Sequence, residues 1–75
     1  MTTRQLLIKY RNLKRIDPAA AYKLFLENES NERFTSLVRT CDNFIMFTKQ
    51  FIEEDGDILN KKQYREYLDK RFSEE

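Results

Sequence analysis

Apolar residues recur along the chain at spacings of three and four, the period of an amphipathic helix, in four successive stretches. The first stretch, about Thr3 to Arg15, places Leu6, Leu7, Tyr10 and Leu13 on one stripe with its basic residues beside it. It should stop before Asp17-Pro18, because a proline disfavours helical geometry at the residue preceding it. The same pair starts the second stretch. Asp17 can cap free N–H groups, and Pro18 suits the first helical position, where its missing donor costs nothing. Ile16 and Ala21 would then form a small hydrophobic staple. Ala21, Leu24 and Phe25 make one face, widened by Tyr22 and Leu26, and the helix should fade over Glu27 to Glu29.

Asn28 to Asn31 reads as a linker, with Ser30 as the cap of the third stretch. Phe34, Leu37, Val38, Cys41, Ile45, Thr48 and Ile52 then form a stripe that Phe44, Phe47 and Phe51 widen. With no glycine or proline before Gly56, one helix is expected to reach Glu54, a length of about 35 Å at the rise of an α-helix. Gly56 is expected to take the left-handed conformation that closes it. Asn60, with Gln63 three residues on, caps a fourth helix, with Leu59 and Tyr64 as its staple. Tyr64, Tyr67, Leu68 and Phe72 share its inner face, and Ser73 to Glu75 should fray. The expectation is an all-α four-helix fold over residues 1–75, one small domain with a long central third helix.

Composition narrows the chemistry. The 75 residues include no His, one Cys, one Gly and one Pro. Without His, the common zinc spacings and the His-dependent triads and acid–base pairs are excluded. One glycine excludes a glycine-rich phosphate loop. Asp55-Gly56-Asp57-Ile58 fails as a calcium loop, because Phe51 and Lys62 would occupy its first and twelfth ligand positions. Glu53, Glu54, Asp55 and Asp57 form an acidic cluster at the negative end of a helix, which favours a cationic neighbour. No enzyme activity, metal or cofactor is expected. Cys41 has no intrachain partner and falls on the apolar stripe, so a buried thiol in a reducing, cytoplasmic setting is expected. No apolar run exceeds four residues and the N-terminus has no apolar signal core, so neither a membrane span nor a secretory signal is expected.

Charge is small in sum and uneven in distribution. Fourteen Lys and Arg face thirteen Asp and Glu, a net +1. Residues 1–40 nevertheless carry 8 basic and 4 acidic residues, and residues 41–75 carry 6 and 9. The first fifteen hold Arg4, Lys9, Arg11, Lys14 and Arg15 with no acid, a candidate phosphate-facing set. A dedicated DNA reader is more basic overall, and the acidic C-terminal half repels a duplex, so nucleic-acid contact should be indirect or weak. The surplus of aromatics on the third stretch, Phe44, Phe47 and Phe51, suits a surface reserved for another protein chain.

Met1-Thr2, the run Leu7-Ile8-Lys9-Tyr10-Arg11-Asn12-Leu13 and the pair Ile16-Asp17 resemble the start of the Hha/YmoA/Cnu family. Arg39-Thr40-Cys41-Asp42-Asn43 and Leu59-Asn60-Lys61-Lys62-Gln63-Tyr64 are similar to two later segments of that family, in the same order. The family's Ala-Ala-Asp-His-Arg signature keeps only Asp42 here, and its closing proline and tryptophan are Asn60 and Tyr64. The resemblance implies a small non-enzymatic modulator of an H-NS-type nucleoid or transcription regulator. It implies that Asp17 and Asp42 face arginines of that partner, while the basic residues of the first stretch help the complex hold DNA. Two other readings of the residues stay open: an inhibitor or immunity protein of phage or plasmid type that blocks a host enzyme, and a homodimeric module pairing through the third stretch.

Overall fold

The computed structural model describes residues 1–74, which form five α-helices and, among the described residues, no strand. They are α1 (Thr3–Ile16), α2 (Pro18–Glu27), α3 (Glu32–Cys41), α4 (Phe44–Glu53) and α5 (Lys61–Ser73). Of the expected fraying over Ser73 to Glu75, Ser73 is still helical and Glu74 follows α5 as its cap, while Glu75 lies outside the described residues.

Local signals set most helix ends. Thr2 and Gln5 form a reciprocal capping box at α1, carried by a Thr-x-x-Gln spacing. Lys14 and Arg15 complement the dipole in the last turn of α1. Asp17 caps α2 by accepting from the Ala20 N–H at 3.4 Å, with Pro18 first in the helix. Asn60 caps α5 through the Gln63 N–H at 3.3 Å. The cap of α3 is Asn31, not Ser30. The Asn31 side chain accepts from the Phe34 N–H at 3.1 Å and donates to the Thr3 hydroxyl at 3.3 Å, tying α3 to the start of α1. Neither expected staple forms, since Ile16 is 76% and Leu59 66% exposed. Ile58 packs on the core in place of Leu59.

The long third helix is two helices, broken at Asp42-Asn43. Asp42 is fully extended (φ −165°, ψ −174°), and its Oδ1 accepts the Phe44 N–H at 2.9 Å. Short polar side chains offer the backbone this alternative to the helical bond, and Asp42 takes it. Packing rewards the break. Phe34 and Val38 bury one stripe of α3, whereas Phe44, Phe47, Thr48 and Phe51 bury a stripe of α4. On one straight helix these stripes would diverge by about a third of a turn, so only a bent chain turns both inward. The molecule measures 32 Å along its longest axis, less than the unbroken helix would require.

Aromatic rings link the helices through the core. Tyr10 of α1 meets Phe34 of α3 edge-on at 6.2 Å and Phe44 of α4 at 6.0 Å. Phe44 meets Tyr64 of α5, and Tyr64 stacks on Phe51 at 5.4 Å. Helix α2 closes the core with Ala21 and Phe25, both fully buried. At the other end of the α4–α5 pair, Phe47 and Phe72 pack edge-on at 5.0 Å. Arg71 lies over the Phe47 and Tyr67 rings and donates to Gln50. Inside this apolar set, the hydroxyls of Thr48 and Tyr64 share one hydrogen bond of 2.6 Å.

The α4 terminus differs from expectation in an instructive way. The left-handed residue is Asp55 (φ 65°), and Gly56 has no positive φ. The Gly56 N–H donates to the Phe51 carbonyl at 2.9 Å and the Asp55 N–H to the Ile52 carbonyl at 3.0 Å, the two bonds of a Schellman motif. Glycine is needed one residue later for a steric reason. A Cβ on Gly56 would lie 2.6 Å from Cζ of Phe51 and closer still to two other ring carbons.

Burial of tyrosine hydroxyls makes the fold sensitive to alkali. Burial raises the Tyr10 and Tyr22 hydroxyls above their usual range, and pushes Tyr64 up to about 12 although its bond to Thr48 opposes the shift. The neutral phenol is therefore favoured in the folded state. This contribution is complete below the ordinary tyrosine value of about 10 and is lost as pH rises towards and through the folded values. Urea midpoints are expected to fall between about pH 9 and about pH 11, with less fall in Tyr10→Phe. An equal fall in that variant would show that Tyr10 contributes nothing.

Candidate functional site

The last turn of α1 and the α3–α4 break come together. The Lys14 ammonium stands 5.6 Å from the centre of the Tyr10 ring and pairs with Oδ2 of Asp42. Oδ1 of Asp42 is engaged by the Phe44 N–H, so each carboxylate oxygen has one partner. Both side chains are about a quarter exposed, at 27% and 25%. One residue earlier, the Arg11 guanidinium donates to Cys41 Sγ at 3.6 Å. Cys41 is thus an exposed free thiol, and its expected burial is corrected: the break turns its side of α3 away from the core.

Two grooves meet at Asp42. The larger, about 520 Å³, runs beside α4 and is lined by Arg39, Ile45, Met46, Lys49 and Glu53. Its apolar feature is Met46, 47% exposed, with charges of both signs around it. The smaller, about 220 Å³, is lined by Lys14, Pro18, Phe44, Arg65, Asp69 and Phe72. An apolar strip with a charged rim suits a polypeptide surface. Among the described residues no three metal-ligating side chains converge. No helix among them is long and apolar enough to cross a membrane.

The structure brings only some of the expected residues together. Lys14 and Asp42 meet directly. Asp17 serves as the α2 cap, and its neighbour Pro18 lines the smaller groove with Asp42. Arg4, Lys9, Arg11 and Arg15 are exposed along α1. Phe44, Phe47 and Phe51 are not surface residues. They are 1%, 6% and 4% exposed, because the bend directs their stripe into the core. The exposed apolar residues of that region are Leu37, Met46 and Ile52. Met46 and Lys49 were invisible as groove residues in the sequence, since a continuous helix gives them no special place. The Asp42-Asn43 pair was the signal that could have revealed them.

The Asp42 carboxylate should hold the break mainly through its oxygen acceptor. Asp42→Ala is expected to cost about 1–2 kcal/mol, as loss of a helix cap does. Asp42→Asn keeps the acceptor for Phe44 and loses the partly exposed ion pair, at about 0.5 kcal/mol. Chemical denaturation of both variants checks this, and equal losses would refute the dominance of the cap.

No family model, curated protein or solved structure matches this chain.

Proposed function

We propose that the protein is a small non-enzymatic, protein-binding modulator, Hha-like in action, whose partner is an H-NS-type nucleoid or transcription regulator. The observation that carries this reading is the ordered Asp42 carboxylate at the meeting of two grooves. A carboxylate offers about four acceptor sites, so Asp42 retains capacity after bonding Lys14 and Phe44. A partner arginine can join it without breaking either bond. Asp17 spends Oδ1 on the α2 cap and keeps Oδ2 for the same purpose. The groove beside Met46 supplies apolar contact next to that charge. Arg4, Lys9, Arg11 and Arg15 then add cations with which the complex grips phosphates. Absence of His and of a glycine-rich loop supports a binding rather than a catalytic role.

Co-purification with the tagged full chain tests the reading. The expected result is recovery of an H-NS-type protein, at least about tenfold reduced in an Asp17→Asn/Asp42→Asn variant that keeps the oxygen acceptors for the Ala20 and Phe44 N–H groups. Recovery of no such protein, with silencing unchanged on overexpression, would overturn it. Recovery of an enzyme in its place would favour the inhibitor reading, which the same groove supports.

A further inference from the structure

The α1–α3 surface combines positive charge with exposed apolar side chains. Arg4, Ile8, Arg11 and Arg15 follow one another at spacings of four, three and four, which is one stripe of α1. All four are exposed, Ile8 by 50%. Helix α3 runs alongside in the same direction, since Asn31 bonds Thr3 at one end and Cys41 meets Arg11 at the other. It adds Arg33, which shares a groove with Arg4, and Leu37, 38% exposed.

The turn after α4 has the opposite character. Glu53, Glu54, Asp55 and Asp57 are all exposed, flanked by Ile52 at 41% and Leu59 at 66% exposure. These opposite charges do not meet within one molecule. Among the described residues the one ion pair is Lys14–Asp42, which belongs to neither surface. The net charge of +1 leaves no appreciable repulsion between copies.

We propose that the acidic α4–α5 turn of one copy docks on the arginine-rich α1–α3 face of the next, so that the protein self-associates head to tail. The exposed Ile8 and Leu37 decide between occupants. A phosphate backbone has no use for apolar side chains, whereas the acidic turn brings Ile52 and Leu59 to meet them. The two surfaces differ, so the contact is heterologous and extends into rings or chains instead of closing as a two-fold dimer. This self-association leaves Asp42 and the grooves beside it free for a regulator, but it covers Arg4, Arg11 and Arg15, so it competes with the phosphate contact of the role above.

Sedimentation of the full chain over a concentration series tests it. The average mass is expected to climb past that of a dimer at about 0.05 M salt, and association to weaken at least about tenfold at about 0.5 M. Two variants reverse the charges without opposing the helix dipoles: Arg4→Glu/Arg33→Glu at helix starts, and Glu53→Lys/Glu54→Lys at a helix end. Each alone is expected to be monomeric, with helical circular dichroism unchanged. Mixed in equal amounts they should associate again, because each retains one native surface and the two reversed surfaces are also complementary. A wild-type monomer at all concentrations, a mass that stops at the dimer, or a reversed variant that assembles like wild type would each overturn the proposal. Duplex DNA binding by a strictly monomeric chain would assign the arginines to phosphate instead.

Discussion

Replacing Gly56 with alanine is expected to destabilise the protein by about 2–3 kcal/mol, in the upper range for forcing an extra carbon into a packed site. For a chain of this size that corresponds to a fall in Tm of roughly 10–20 °C. The cause is the Phe51 ring, which occupies the volume a Cβ would need and which is itself clamped between Tyr64 and Tyr67. The ring cannot swing away without opening the α4–α5 contact. Asp55→Gly provides the contrast. Asp55 holds the left-handed conformation, and glycine relieves a penalty of about 1 kcal/mol there, so this variant should be neutral or slightly more stable. Thermal melts of the two variants separate space from backbone conformation. A loss below about 0.5 kcal/mol in Gly56→Ala would mean that the ring does not press on that site.

Thr48→Val should cost about 2 kcal/mol, because it strands the Tyr64 hydroxyl in a core where both residues are almost wholly buried. Tyr64→Phe should cost less, about 1 kcal/mol, since a helical threonine hydroxyl can turn to the carbonyl one turn back. The double variant removes both polar groups together. Its loss is expected to fall short of the sum by about 1 kcal/mol. Urea denaturation of the four proteins yields this coupling, and a value near zero would show that the bond contributes nothing specific.

Gly56 and the α3–α4 break are set by contacts beyond one helical turn. The periodic stripes of α1, α2 and α5 could be read directly, as could the caps at Asp17 and Asn60, because each depends on residues within one turn. Ser30 and Asn31 are equally good caps locally. Asn31 prevails because its amide also reaches Thr3, which lies 28 positions away. The spacing of Phe44, Phe47 and Phe51 marks them as an apolar face but does not place that face in the core. Periodicity reports that a face must be covered and is silent on whether the cover comes from the same chain. The candidate site suffers in the same way, since Lys14 of α1 and Asp42 of the break meet only through the tertiary fold.

The sequence by itself determined the helical class, the exclusion of His-based chemistry, the separation of positive and negative halves, and most helix ends. These follow from local propensity, composition and the 3.6-residue period, none of which needs a distant neighbour. Tertiary structure alone decided that the third stretch bends at Asp42, that its phenylalanines turn inward, that Cys41 faces solvent and that Gly56 serves packing. Each depends on which of several locally acceptable conformations allows all apolar stripes to reach one common core.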